Sequence, residues 1–256
     1  QIVQHKHLKI LNYIFCLVIP IGKEVGDNSF ISLVNENVID IGFTLNFFVD
    51  KLRFSAVKIE RCGKVSIEIE GQTFWMGIYY FENGLVLNEN NSQSNIWYRQ
   101  VKEEKVLRLI DTFVNQANKN KGDDFSATNA FVITWNKLIE LNTSNENTFQ
   151  LVLAKDRSNN AFFLYIFGRC DSTASRSYAP VDSNNNFYVL TDGSVRDASQ
   201  LFPPFKFDAT QSNVDLPGLF VFPLFVNSTR KASKLKHFIL INRVLKLNFH
   251  IFINFI

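Results

Sequence analysis

The side chains that most often carry catalysis lie at the margins of this sequence. All four histidines are in the two outermost segments, at His5, His7, His237 and His250. Histidine is the usual general base near neutral pH and the commonest metal ligand. The body of the chain therefore offers no Ser-His or Cys-His pair and no histidine-bearing zinc site, and Ser194 and Asp197 have no base near them in sequence. We predict no catalytic, cofactor-binding or metal-ligating residues.

A carboxylate-based hydrolase, such as a glycosidase, is the main catalytic alternative. It would need two carboxyl groups in a cleft, about 5–5.5 or 6.5–9.5 Å apart. The glutamates are densest at Glu68, Glu70, Glu103 and Glu104. Strand alternation and the start of a helix place these glutamates on solvated faces, which argues against such a pair.

The adjacent acids Asp123 and Asp124 are the nearest approach to a calcium motif. Calcium takes about six to eight oxygen ligands, and this pair lacks the spacing of an EF-hand. We interpret the two residues as part of a loop at the end of a helix.

Two kinds of residue could be modified covalently. Cys62 and Cys170 could form a disulfide if the chain is secreted, with Cys16 lost in a signal segment; the alternative is two separate thiols. Three Asn-x-Ser/Thr sequons begin at Asn90, Asn142 and Asn227. Their loop-like or edge positions allow N-glycosylation, but so asparagine-rich a chain contains such short motifs by chance as well.

Composition excludes several classes of protein. The chain has 256 residues, of which 46% are hydrophobic, so it can bury a sizeable core and is not disordered as a whole. Three cysteines are too few for a disulfide-dense scaffold. A net charge of +3 is too small to indicate a nucleic-acid partner.

The two ends differ from the body of the chain. Residues 1–18 carry basic residues followed by an apolar run, which is typical of a secretory signal peptide; a buried N-terminal strand is the alternative. Residues 228–256 form an apolar and basic tail that could be a packed element, an appended segment or a membrane anchor. Arg243 and Lys246 disfavour the anchor, because a cation at mid-bilayer costs about 2.5–3.5 kcal/mol.

Periodicity in the body of the chain predicts strands and one helix. Apolar residues alternate with polar ones over residues 39–50 and 65–70, as in half-buried strands. Residues 103–117 have an apolar stripe at helical spacing. Further strands are predicted at 131–135, 149–154, 161–167 and 219–226, and residues 171–200 are predicted as loops with one strand at 187–190. The fold class expected is α+β, predominantly antiparallel and sandwich-like, with at least one amphipathic helix.

Several motifs resemble the nidogen-like (NIDO) extracellular domain of nidogen, alpha-tectorin and sushi-nidogen-EGF proteins. Asn147–Ala154, followed by Asp156, is close to the Asn-Thr-Phe-Gln-x-Val-Leu-Ala motif of that family. Ile96–Arg99 resembles its Tyr-Tyr-Arg strand, and Val132–Trp135 its apolar-Thr-Trp strand. Ser212–Phe222 resembles its closing Ser-Asn-Val-x-x-Pro-Gly segment.

Earlier segments extend the resemblance towards the N-terminus. Ile19–Gly22 before Gly26-Asp27 is similar to the opening of the family, and Leu45–Phe48 to its strand with paired aromatics. Gln72–Ile78 departs from the Ala-Pro-Phe-Trp-Ala-Asp sequence that members usually carry. The resemblance delimits a domain at residues 19–227.

The resemblance implies a non-enzymatic module of the extracellular matrix or cell surface, secreted and engaged in cell–matrix adhesion through protein–protein binding. It implies no cofactor, and the expected partners are matrix or cell-surface proteins. Two alternatives stay open: a degenerate or truncated fragment without independent function, and the carboxylate-based hydrolase considered above.

Overall fold

The computed structural model describes twelve stretches of the chain. They are residues 18–29, 38–47, 49–61, 63–69, 71–77, 85–117, 124–171, 178–181, 188–189, 195–196, 212 and 214–225. The strands are β1 (Asn28–Ser29), β2 (Val38–Phe47), β3 (Val49–Ile59), β4 (Lys64–Ile69), β5 (Gln72–Gly77), β6 (Leu85–Val86), β7 (Asn95–Val101), β8 (Ala127–Glu140), β9 (Glu146–Asp156), β10 (Ala161–Cys170), β11 (Tyr178–Val181), β12 (Tyr188–Val189), β13 (Val195–Arg196) and β14 (Leu219–Phe225). The α-helix, α1, spans Glu104–Ala117, and a short 3-10 turn spans Lys23–Val25.

Two antiparallel sheets form the body of the fold. The large sheet has the strand order β1-β7-β8-β9-β10-β14, with β6 also paired to β8. The small sheet has the order β11-β5-β4-β3-β2, and β12 and β13 form a separate hairpin. The predicted fold class, an antiparallel sandwich with an amphipathic helix, is confirmed.

The inner faces of the two sheets enclose an aromatic core. Trp135 of β8 stacks on Phe149 of β9 with ring centroids 5.0 Å apart, and Phe163 of β10 stacks on Phe222 of β14 at 4.9 Å. The Trp135 indole N–H donates to the carbonyl of Glu60, just after β3, at 3.0 Å. This hydrogen bond connects the large sheet to the end of a small-sheet strand.

Strand β10 is covered on both faces, as its unbroken apolar sequence predicts. Phe163, Tyr165 and Phe167 face the core between the sheets. Phe162, Leu164 and Ile166 face a second core on the other side of the large sheet.

Helix α1 covers that outer face of the large sheet. Its buried residues are Val106, Ile110, Phe113 and Val114, in agreement with the predicted apolar stripe. The Asn115 amide bonds both the N–H and the carbonyl of Phe125, and an Asp111 carboxylate oxygen accepts from the Ala127 N–H at 2.6 Å. These bonds fix the helix against the start of β8.

Two sequence-based expectations need correction. The alternation over residues 39–50 belongs to β2 only as far as Phe47; the chain turns there and β3 begins at Val49. Residues 171–200 contain three short strands, β11, β12 and β13, where one was predicted. Strands of two to four residues are too short to show a period, and Pro180 in β11 is tolerated because β11 is an edge strand.

Candidate functional site

A buried ion pair fixes residues 18–29, here called the strap, to the large sheet. The side chains of Arg99 on β7 and Asp27 in the strap are only 4% and 3% exposed. Arg99 Nη1 donates to Asp27 Oδ1 at 2.5 Å and to the carbonyl of Pro20 at 2.9 Å. The charges of strap and sheet therefore neutralise each other inside the fold.

The strap closes on itself around the same carboxylate. Asp27 Oδ2 accepts from the Gly22 N–H at 2.7 Å. Gly22 and Gly26 have φ of 111° and 81°, the left-handed region that glycine enters without steric cost. The two glycines let the 3-10 turn between them bring Asp27 back towards Gly22.

The other two nitrogens of the Arg99 guanidinium, Nε and Nη2, have fewer hydrogen-bond partners than Nη1. Nε lies 3.5 Å from Glu103 Oε1, and Nη2 is buried without a hydrogen-bond partner in the described part of the chain. Burial pushes the pKa of Glu103 up, but the amides of Glu103 and Lys102 and the Arg99 charge together hold it below the usual range. Glu103 therefore stays ionised beside Arg99.

A second buried side chain holds the strap by its main chain. Gln150 on β9 is completely buried, and its amide accepts from the Ile19 N–H and donates to the Ile19 carbonyl, both at 2.8 Å. The same amide donates to Thr134 Oγ1 at 2.9 Å. A glutamine side chain thus pairs with Ile19 as a neighbouring strand would, and the Ile19 side chain enters the core beneath α1.

Two of the four glutamates considered for hydrolysis have arginine partners. Glu68, Glu103 and Glu104 are exposed, as predicted, and Glu70 lies outside the described residues. Glu104 forms an ion pair with Arg108 one turn along the helix, and Glu103 with Arg99.

Only one of the two acids considered for calcium lies within the described residues. Asp124 is exposed, and Asp123 lies outside the described residues. Both carboxylate oxygens of Asp156 accept from Asn160, so Asp156 holds the β9–β10 turn. Across the described residues, no group of three or more His, Cys, Asp or Glu side chains is placed to hold a metal ion.

The proposed disulfide stays a prediction. Cys62 lies outside the described residues. Cys170 is half-buried at the end of β10, with its sulfur 3.8 Å from the carbonyl of Thr148.

Two of the three sequons lie in exposed turns at one end of the large sheet, here called the loop end (residues 87–94, 141–145 and 169–171). Asn90 is exposed in the turn before β7, and Asn142 is exposed in the β8–β9 turn. Asn227 lies outside the described residues.

A charged cluster connects the strands at the loop end. Arg169 makes two hydrogen bonds to Asp171, at 3.0 and 2.7 Å, and lies 3.7 Å from Glu146. The Arg169 hydrogen bond is the main reason that the pKa of Asp171 lies below its usual range, and the pKa of Arg169 is raised in turn.

Sequence reasoning did not single out the residues that hold the strap. Asp27, Arg99 and Gln150 all fall inside the motifs quoted above, but Arg99 is 72 residues from Asp27 and Gln150 is 131 residues from Ile19. The available signal was local: Gln150 is a long polar side chain between Phe149 and Leu151, and Arg99 directly follows the run 96–98 of aliphatic and aromatic residues.

Comparison with known proteins finds a match to a family model. The family model described as the nidogen-like domain matches residues 83–224, more than half of the chain. That range contains β6–β13, α1 and β14 as far as Leu224, whereas the strap and β2–β5 precede it. No curated protein and no solved structure matches the chain.

Proposed function

Because this chain belongs to the nidogen-like domain family, we propose that it is an adhesion module that binds other proteins of the extracellular matrix or cell surface. The family is a non-catalytic module family typical of extracellular proteins. For this chain in particular, we propose that its activity is binding, with no covalent chemistry. We propose that this binding contributes to cell–matrix adhesion.

The family membership carries this proposal, and the use of the buried polar groups supports it. Arg99, Asp27 and Gln150 are the most buried polar groups of the candidate site, and each is used to hold the strap. Such groups build a scaffold rather than a reaction centre, because the Asp27 carboxylate, the Gln150 amide and Arg99 Nη1 already have protein partners. Of their polar atoms, only Nε and Nη2 of Arg99 lack a hydrogen bond within the described residues.

The proposal includes secretion. In the described ranges no helix combines the length and the apolar composition that a bilayer crossing needs. From the family, which is typical of extracellular proteins, we infer that the chain acts outside the cell as part of the matrix or of a larger surface protein.

Cell adhesion to the immobilised protein tests the proposal. The full chain, expressed behind a cleavable secretion leader, is coated on plastic, and adherent cells are counted against coating density. We expect saturable adhesion that an excess of the soluble chain abolishes. Adhesion no greater than on the heat-denatured chain would contradict the proposal.

A hydrolase assay addresses the catalytic alternative. The same preparation is incubated with a panel of nitrophenyl glycosides, with the Glu103→Gln/Glu104→Gln variant as the matched control. We expect no difference in release of nitrophenol between the two proteins. Turnover by the parent chain that the variant lacks would support an enzyme.

A further inference from the structure

The loop end contains two acceptor sites for a covalent modification that the family match does not assign. Resting on the extracellular location of the proposed function, we propose that Asn90 and Asn142 both carry N-linked glycans. The donor class is an oligosaccharide linked to a lipid diphosphate. Transfer forms a bond from the asparagine Nδ2 to the anomeric carbon of the sugar, breaks the bond from that carbon to the diphosphate, and releases one amide proton with the lipid diphosphate.

Asn90 is presented by a preformed turn. Its main-chain N–H donates to Asn88 Oδ1 at 3.1 Å, while the Asn88 N–H donates to Ser94 Oγ at 2.8 Å. Asn90 and the sequon hydroxyl residue Ser92 are both exposed. The fold therefore has room for a sugar attached to Asn90.

Asn142 lies at the tip of the β8–β9 hairpin. It is exposed and left-handed, with φ of 65°, a conformation that asparagine tolerates in turns. Thr143 Oγ1 donates to the carbonyl of Glu140 at 2.9 Å and accepts from the Asn145 N–H at 3.1 Å, which fixes the turn. The sequon hydroxyl residue, Ser144, remains exposed.

Burial separates the sequon asparagines from three other asparagines nearby. Asn95, Asn136 and Asn147 are buried, and the residue two positions after each is aromatic or aliphatic rather than Ser or Thr. In the described part of the chain, sequons thus occur where a glycan fits and not at the buried asparagines.

The two glycans would project from the same end of the molecule. The Asn136 amide donates to the Gln93 carbonyl at 2.8 Å, and the Asn91 amide lies 3.4 Å from a Glu146 carboxylate oxygen. These contacts hold the Asn90 turn beside the strands that form the Asn142 hairpin.

An apolar side chain next to Asn142 gives the second glycan a physical role. Leu141 is 43% exposed and is one of two large hydrophobic side chains, with Val38, that are exposed among the described residues. A hydrophilic glycan on the adjacent residue would cover Leu141 and reduce its tendency to associate with other chains.

Site-resolved mapping of the full chain tests this inference. The chain is expressed in mammalian cells behind a cleavable leader, and total chain from cells and medium is treated with an amide-cleaving glycosidase in heavy-oxygen water. We expect labelled aspartate at positions 90 and 142. The variants Asn90→Gln and Asn142→Gln should each lose one glycosidase-sensitive mobility step, and the double variant should lose two.

Two sets of controls make the result specific. Ser92→Ala and Ser144→Ala keep the asparagines and should reproduce the same losses. Asn159→Gln should lose none, because Asn159 is exposed with a similar φ of 61° but begins no sequon. An unmodified Asn90 or Asn142 in the total chain would overturn the inference.

The experiments distinguish an error in the glycosylation proposal from an error in the proposed adhesion function. A glycosylated chain that does not support cell adhesion counts against the proposed function only. An unglycosylated chain that supports adhesion counts against the glycans only.

Discussion

Arg99 carries a full charge into the interior, and Asp27 is its only close carboxylate partner at hydrogen-bond distance among the described residues. Breaking a buried pair by removing one partner leaves an uncompensated charge, which costs about 3–5 kcal/mol. The attachment of the strap therefore depends on this ion pair as well as on the Gln150 bonds and the short strand β1.

Substitution at this pair should be strongly destabilising. We expect Arg99→Met and Asp27→Asn each to lower the free energy of unfolding by about 3–5 kcal/mol, and the double variant to lose less than the sum. Chemical denaturation of the four proteins measures the coupling.

The exposed pair on the helix provides the control for these variants. Glu104→Gln removes an ion pair that lies in solvent, so stability should not change measurably. Strictly additive losses at Arg99 and Asp27 would contradict the buried pair as the cause.

Asp171 gives a prediction about pH. The Arg169 hydrogen bond holds the pKa of Asp171 below its ordinary value of 3.8. A depressed carboxyl pKa adds stability that is present above the ordinary pKa and is lost as the pH falls through the lower, folded value. An NMR titration of the Asp171 carboxyl should give a pKa below 3.8, and Arg169→Gln should raise that pKa. An unchanged pKa in the variant would contradict the Arg169 hydrogen bond as the cause.

At the scale of elements, local patterns predicted most of the secondary structure. Ile39, Ile41 and Leu45 alternate with more exposed residues because one face of β2 is exposed to solvent. The apolar stripe on α1 is present because one face of the helix is buried. Strands β1, β6, β11 and β13 were missed because two to four residues do not establish a period, whereas β12 falls within the strand predicted at 187–190.

The strap could not be predicted in the same way, because its partners are distant in sequence. The sequence shows the Ile19–Gly22 motif, but its partners Arg99 and Gln150 come together only when β7 and β9 pair with the two edges of β8. A pattern within one segment contains no information about such a contact.

Gln150 should be essential for docking the strap. Gln150→Leu removes both bonds to Ile19 and one to Thr134, and each buried polar group left without a partner costs about 1–3 kcal/mol. Hydrogen exchange should show loss of protection at the Ile19 amide while the β8–β9 amides remain protected.

A neighbouring glutamine supplies the comparison for that variant. Gln100→Leu changes a half-buried residue on β7 and should leave exchange at Ile19 unchanged. Equal loss of protection in both variants would show that general destabilisation, rather than the Gln150 bonds, is responsible.

At the scale of the whole molecule, the family match and the folded unit have different boundaries. The match begins at residue 83, but Ile41, Phe47, Val57 and Ile67 of the small sheet belong to the core between the sheets. Removing them would expose the aromatic face formed by β8, β9, β10 and β14.

Two truncated chains test where the folded unit lies. We expect residues 18–227 to unfold in one cooperative thermal transition and residues 83–224 to aggregate or melt without cooperativity, measured by circular dichroism. Cooperative unfolding of 83–224 would show that the small sheet is dispensable. Non-cooperative melting of 18–227 would instead favour a degenerate fragment.

The hydrogen bonds between Ile19 and Gln150 also limit how early the strap can dock while the chain is being translated. The 131 residues that separate them take roughly 7–26 s to translate at about 5–20 residues per second. Ile19 emerges from the ribosome during that interval, before its place in the core beneath α1 exists. Docking of the strap must therefore be a late event, and the nascent chain depends until then on whatever shields this early apolar segment from premature association.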